Sequence, residues 1–311
     1  MTTHSSNQFW EWNSLDHASA VMILAKYLRK TQTSLEPFGS GDFTLAFKQD
    51  HQVIRVARHF EAAEALKRES CVLAKIAARL PLPVPRPIYY SIPHCPPFTI
   101  HDEIVGEILT GDEWENMPTV AREKAAADLA MFLRARHSLP LEIGLTCGLA
   151  KLDVPQLSRR LRQVTAKTIH ELLNHETQAR LTHVLESWAL PSLSEDQPSV
   201  LLHCDIGPGH VLYNPQTGNL TGVIDFGDLV IGDPARDFIY IYEDYGSLIL
   251  AEVLVRYVRT DASLTLSAIR KWYLLEAITW TVEMFVTGRH SEVEHGLAEI
   301  TRELTAPWNG E

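Results

Sequence analysis

The chain has 311 residues, 45% of them hydrophobic, with a formal net charge of −11, so a large core can be buried and disorder is not the default state. The acidic balance argues against a general nucleic-acid binder, which would carry a basic stripe, and it would steer a polycationic small molecule inward. Cys71, Cys95, Cys147 and Cys204 form no C-x-x-C pair, Met1 to Asn7 are polar, and no apolar run approaches the ~18 residues of a membrane span. These features lead to the expectation of a cytoplasmic protein with no disulfide framework, zinc site, signal peptide or membrane partner.

Within Phe38 to Lys48, Gly39-Ser40-Gly41-Asp42 reads as a turn leading into a strand. Val53 to Ala57 reads as a short strand, with Ile54 and Val56 on one face and Val53 and Arg55 on the other. Glu61 to Leu80 is expected to be helical, because Leu66, Leu73 and Ile76 recur at helix spacing. Prolines between Leu80 and Pro97 forbid a helix and favour an extended connection, and Phe98 to Val105 reads as a further strand.

After Gly106 the pattern is mostly helical. Ala125, Leu129, Phe132 and Leu133 mark one amphipathic helix, Leu157, Leu161 and Val164 a second, and Leu181, Val184, Leu185 and Trp188 a third. Pro191 to Pro198 reads as a polar linker. Ser199 to Asp228 returns to short strands, with a hairpin turn at Asn214 to Asn219, and the chain is helical again from Asp237. This order predicts an α+β fold of two lobes. Residues 1–103 form a small β-rich N-lobe, and residues 104–311 a larger, mainly helical C-lobe with a helical insert at about 112–190. Ligands are expected in the cleft between the lobes.

The chemistry concentrates in His203-Cys204-Asp205-Ile206-Gly207-Pro208-Gly209-His210 and, fifteen residues later, Asp225-Phe226-Gly227-Asp228. Phosphoryl transfer needs a carboxylate to orient and deprotonate the attacking hydroxyl, and ligands that hold Mg²⁺ against the phosphates. Asp205 suits the first task. His210, five residues on, has the spacing of the second metal ligand of a kinase catalytic loop, and Asp225 follows an apolar strand like the Asp of a D-F-G motif. His203 is placed to brace the loop. Other chemistries lack their motifs: there is no G-x-x-x-x-G-K-[ST] and no G-x-S-x-G, and His170 to His175 has one residue too many for H-E-x-x-H. No A-P-E segment follows Asp225, which argues against a protein kinase.

His203 to Leu212, Leu220 to Asp228, Gly232-Asp233-Pro234 and Asp237-Phe238 together resemble the aminoglycoside phosphotransferase family, in particular its 2''-O-phosphotransferase branch. The resemblance extends in weaker form from about Pro37 to about Gly288. It implies a two-lobed protein-kinase-like fold and transfer of the γ-phosphate of ATP or GTP to a hydroxyl of an aminoglycoside antibiotic. Alternatives are a macrolide or cellular-metabolite kinase of the same fold, or a catalytically silent nucleotide-binding module. By the same resemblance Asp205 is the catalytic base, Asp225 and His210 hold Mg²⁺, and Asp237 is structural. The broader family has Asn at the position of His210. Gly39, Ser40 and Gly41 resemble the nucleotide loop, and Glu69 resembles the helix glutamate that pairs with a phosphate-binding base on the preceding strand. That base is normally Lys; here Arg55 holds the position, with Arg58 as an alternative. Asp102, Glu103, Ile104 and Val105 would form the hinge whose backbone reads the purine. Glu243, Asp244, Trp272, Glu276 and Glu283 are candidates for binding the acceptor's ammonium groups; Trp272, Glu276 and Trp280 are four residues apart and share a helix face. The implied protein is a monomer acting on a cationic small molecule, with no nucleic-acid partner.

Overall fold

The computed structural model describes residues 15–28, 35–41, 43–93, 95–190, 199–257 and 265–306. The polar start at residues 1–7, Asp42 of the glycine turn and the linker at residues 191–198 lie outside them. Helix α1 (His17–Leu28) precedes strands β1 (Glu36–Ser40), β2 (Thr44–Gln49) and β3 (Gln52–Ala57), helix α2 (Phe60–Ile76), and strands β4 (Ile88–Tyr90) and β5 (Phe98–Asp102). The five strands make one antiparallel sheet in the order β1-β2-β3-β5-β4. Strand alternation sorts its side chains. Leu45, Phe47, Ile54, Val56 and Phe98 are buried with Ala20, Leu24 and Ala25 of α1. On the opposite face Arg55 lies in register with Ala46 and Thr99 and reaches Glu69 of α2.

The strand expected from Phe98 to Val105 stops at Asp102. The chain there must pass close to the second lobe: a Cβ on Gly106 would lie 2.2 Å from Thr221 Oγ1, so only glycine fits this approach. Beyond it come β6 (Glu107–Ile108), α3 (Gly111–Asn116), α4 (Thr119–His137), α5 (Leu141–Thr146), α6 (Val154–Thr165) and α7 (His175–Trp188). Strands β7 (Val200–Leu202), β8 (Val211–Tyr213), β9 (Leu220–Val223) and β10 (Val230–Gly232) follow, then α8 (Ile239–Glu243), α9 (Gly246–Tyr257), α10 (Leu266–Val286) and α11 (His290–Thr305). Strands β6, β8 and β9 form one small sheet, and β7 pairs with β10.

Three of the C-lobe helices begin at a side chain that caps their first turn. Asp153 accepts from the Gln156 N–H at the start of α6, Asn174 from the Thr177 N–H at α7, and Thr265 from the Ala268 N–H at α10. The lobe core joins Leu129, Phe132 and Leu133 of α4 to Leu201, Phe226, Phe238 and Ile278. Among the described residues no helix is long and apolar enough to cross a membrane.

One expectation is corrected. Cys71 of α2 and Cys147, just after α5, form a disulfide, with Cα atoms 5.6 Å apart and a sequence separation of 76. The fold brings α5 back against α2, which cysteine spacing alone does not reveal.

Candidate active site

Strands β7 and β9 each lead into a loop that carries one of the two carboxylates, and His203 ties the loops together. The Asp205 N–H donates to His203 Nδ1 at 3.3 Å, so the ring carries its proton on Nε2, which donates to the Ile224 carbonyl at 3.1 Å. His203 is fully buried; burial first, then the Arg136 charge, lowers its pKa to about 4, and the ring is neutral. Beneath it, the Asp237 carboxylate accepts the His203 and Cys204 N–H groups at 2.9 and 2.7 Å. Cys204 and Asp225 have φ of +71° and +59°, strained backbone of the kind that clusters at functional sites.

These loops bring Asp205, His210 and Asp225 together. His210 Nδ1 donates to the Asp205 carbonyl at 3.0 Å and lies 3.2 Å from Asp205 Oδ2. The other ring nitrogen, Nε2, is 3.9 Å from Asp225 Oδ2. Burial disfavours a charged His210, but the hydrogen bond and charge of Asp205 and the charge of Asp225 outweigh it and raise the pKa.

Arg55 joins the lobes. Its Nη1 bonds both oxygens of Glu69 at 2.8 and 2.9 Å, and its Nη2 bonds Asp225 Oδ1 at 2.8 Å. Burial would raise the Asp225 pKa, yet the charges of Arg55 and His210 hold it below the usual carboxylate range. Glu69 is more enclosed, and burial there prevails over Arg55 and raises its pKa. Arg58 instead donates to the Gly41 carbonyl at 2.8 Å, securing the turn after Gly39 and Ser40. Between this turn, Arg55, Glu69, Asp225 and Asp228 lies a cavity of about 160 Å³. The Asp102–Val105 segment borders the lobe junction, with Glu103 held by Lys48 at 2.6 Å and Val105 exposed.

Among the described residues no group of three or more His, Cys, Asp or Glu side chains forms a ready-made metal cage. Mg²⁺ does not require one, since it keeps several waters and takes one or two carboxylates plus substrate phosphates. The residues present fit that demand. Asp225 is 45% exposed, with Oδ2 left free by Arg55. His210 donates Nδ1–H to a carbonyl, which leaves an Nε2 lone pair on the Asp225 side, the tautomer a metal-binding imidazole needs.

A second cavity, of about 320 Å³, is lined by Tyr240 and Asp244, two residues that feel the charge of Asp205. Glu243, Asp244 and Glu276, three of the five residues singled out from the sequence, line it together, with Trp280 at its wall. Trp272 and Glu283 lie elsewhere. Trp272 is buried in the core with Arg236 over its ring, and Glu283 is exposed near Arg289. The structure adds Tyr240, Tyr273, His295 and Glu299. Tyr273 Oη is within hydrogen-bond reach of both Glu243, at 3.1 Å, and Glu299, at 2.6 Å. Burial, then the Asp244 charge, raises the Glu243 pKa to about 7. A Cβ on Gly207 would meet Tyr240 Cβ at 2.8 Å and Asp244 Oδ2 at 3.2 Å, so the loop after β7 packs directly against two residues of this cavity's lining. The residues of α11 were missed although signals were available: Glu292, Glu299 and Glu303 share one helix face, and Gly296 is isolated inside a helix.

An antiparallel sheet joined by a hinge to a helical lobe, with a basic strand residue and a helix glutamate paired across from two loop carboxylates, defines the protein-kinase-like class of phosphotransferases. The chain belongs to the phosphotransferase enzyme family abbreviated APH, which it matches over residues 35–273. It is 24% identical over 225 residues to the uncharacterized protein YcbJ of Bacillus subtilis (strain 168), covering 70% of this chain and 72% of YcbJ. It is 26% identical over 268 residues to the viomycin phosphotransferase of Streptomyces vinaceus, covering 83% of this chain and 90% of that one. Among solved structures, the GDP and kanamycin complex of APH(2")-IIia superposes with a TM-score of 0.81 at 21% identity, covering 91% of this chain and 97% of the other.

Proposed function

We propose that this phosphotransferase moves the γ-phosphoryl group of ATP or GTP to a hydroxyl of a polycationic small molecule of the aminoglycoside type. The observation that carries this reading is the placement of His210 between Asp205 and Asp225, with an acidic cavity whose lining feels the charge of the first carboxylate and an arginine-lined cavity beside the second. Lobes divided between residues 103 and 104 put the donor site under the sheet. The backbone of Asp102–Val105 reads the purine, the Gly39–Gly41 turn approaches the phosphates, and Arg55, steadied by Glu69, holds them by charge-assisted hydrogen bonds.

Asp205 accepts the proton of the acceptor hydroxyl as the oxygen attacks phosphorus. Mg²⁺, held by Asp225 and His210, would neutralise charge on the β- and γ-phosphates. Glu243, Asp244, Glu276 and Glu299 meet the acceptor's ammonium groups, while Trp280 and Tyr240 cover its less polar faces. Glu276 already faces Arg236 at 3.0 Å, so Asp244 and Glu243 carry more of the pull on a cation. The kanamycin-bound relative supports the acceptor class, and the nucleotide in that complex supports the donor class.

The test is mass spectrometry of aminoglycosides, macrolides and viomycin-like peptides incubated with protein, Mg²⁺ and either ATP or GTP. Gain of one phosphate by an aminoglycoside is expected; phosphorylation of macrolides alone refutes the acceptor assignment. Asp205→Ala is expected to lower turnover by about 10²–10⁴-fold, the usual worth of a positioned base, with nucleotide affinity retained. Unchanged turnover removes Asp205 from that role.

A further inference from the structure

The Cys71–Cys147 bond takes no part in phosphoryl transfer, yet it sits where the lobes meet. Cys71 lies on α2, two residues beyond Glu69, and Cys147 closes α5 of the helical lobe. Arg68 and Lys75 stand three residues before and four after Cys71, on the same helix face. Lys75 Nζ donates to Thr146 Oγ1 at 3.1 Å, and a Cβ on Gly148 would lie 4.0 Å from Arg68 Cδ. Both cations therefore border the two residues that flank Cys147. Positive charge beside sulfur favours the thiolate, the form that attacks disulfides. Cys95 and Cys204 are different: both are buried, and burial pushes their thiols up to about 11 and about 12.

We propose that Cys71 and Cys147 form a reversible thiol–disulfide site that sets nucleotide affinity by fastening α2 to the helical lobe. In the reduced protein, the thiolate of Cys71, the more accessible of the pair, attacks one sulfur of a low-molecular-weight disulfide. The other half leaves as a thiolate and takes up a proton. The Cys147 thiolate then attacks the Cys71 sulfur of the mixed disulfide and expels the second half as a thiol. Two protein thiols lose two electrons in total, and one small disulfide becomes two thiols; reduction runs the same steps backward. In the oxidised form α2 is covalently held two residues from Glu69, and through Glu69 the position of Arg55 over Asp225 is fixed. The affinity part rests on Arg55 as a phosphate ligand.

The full chain is equilibrated in buffers of graded reduced-to-oxidised glutathione ratio, and its free thiols are tagged and mapped by mass. Affinity for ADP and GDP with Mg²⁺ is measured by calorimetry on each form. Residues 71 and 147 are expected to lose and regain their tags together. The reduced form is expected to bind about fivefold more weakly, the lower end of ordinary coupling between sites. Cys71→Ser and Cys147→Ala should each bind like the reduced protein and ignore the buffer. A pair that never oxidises, or tags that change at Cys95 or Cys204 instead, overturns the site. Equal and measurable affinity in both forms overturns the coupling while the phosphotransfer reading stands. Absence of nucleotide binding in either form overturns that reading and the coupling with it, and the thiol map still reports on the pair.

Discussion

His203 offers a perturbation whose magnitude can be worked from the structure. Its imidazole is buried and neutral, with proton affinity lowered from the ordinary 6.5 to about 4, chiefly by burial and then by Arg136. The unfolded chain takes up that proton near pH 6.5. Between these values the unfolded state binds more protons, so stability from this group is fully present above about pH 6.5 and drains away as pH falls toward 4. Each pH unit in the window removes about 1.4 kcal/mol, and the whole effect is about 3 kcal/mol. His203→Gln removes the titration. It also weakens the link from the Asp205 N–H to the Ile224 carbonyl, so the variant starts less stable at neutral pH. Urea denaturation followed by tryptophan fluorescence, in steps from about pH 7.5 down to 4, gives both pH dependences. Surface carboxylates titrate equally in the two proteins and cancel in the difference. The wild type should lose about 3 kcal/mol more than the variant across the window; parallel curves refute a buried neutral imidazole.

Three further outcomes are expected. Arg55→Lys loses a planar fork that bonds Glu69 with one nitrogen and Asp225 with another, so nucleotide KM in steady-state assays should rise about tenfold, the scale of a lost charged hydrogen bond. In Gly296→Ala the new Cβ would sit 2.0 Å from Thr281 Oγ1, forcing α11 off α10. Stability in urea should drop by about 1–3 kcal/mol, and acceptor KM should rise while nucleotide KM holds; adding Thr281→Ala should recover part of both losses. With Glu243 titrating at about 7, its carboxylate forms as pH rises, and affinity for a cationic acceptor should strengthen from pH 6 to 8 by about tenfold at most, one order per titrating charge. Glu243→Gln should flatten that calorimetric profile.

The meeting of Asp205, His210 and Asp225 was legible because their geometry is local. Short strands carry them into loops, so the spacing of 205, 210 and 225 in sequence translates almost directly into one cluster. The lining of the second cavity was only partly legible. Trp272 and Trp280 are eight residues apart on α10, which turns them about 80° from each other at 3.6 residues per turn. One therefore faces the core and the other the cavity. Glu283 shares the heading of Glu276 but lies about 10 Å further along the axis at 1.5 Å per residue, past the end of the cavity. His295 and Glu299 depend on how α11 packs on α10; the spacing of Val293, Gly296, Ile300 and Leu304 marks the packing face of α11 but not which helix it meets. The same holds for Cys71 and Cys147, whose meeting depends on α5 folding back onto α2. Strands β2, β3 and β5 were readable from the sequence, whereas β1 overlaps the stretch read as a turn and β4 the stretch read as an extended connection; α1, which covers the outer face of the sheet, shows no motif that ties it there.

The role of Asp237 shows how distant residues make the local motif work. The Cys204 backbone is left-handed at φ +71°, a conformation costing on the order of 1–3 kcal/mol for a residue with a side chain. Two adjacent N–H groups, of His203 and Cys204, donate to one ionised carboxylate, and such charge-assisted bonds contribute about 1.5–3 kcal/mol each, enough to hold the turn. A buried carboxylate would ordinarily protonate and forfeit that strength. Burial does push Asp237 upward, but the hydrogen bond from His137, with the charges of His137 and Arg136, lowers it to about 2. Asp237 is brought to this point by the turn at Asp233, whose side chain accepts the Ala235 N–H at 2.9 Å, and by Pro234 at the first helical position. The G-D-P segment and the later Asp thus belong to the same mechanical unit as H-C-D. They set the strained turn that aims Asp205 into the cleft, and they do so without approaching either cavity.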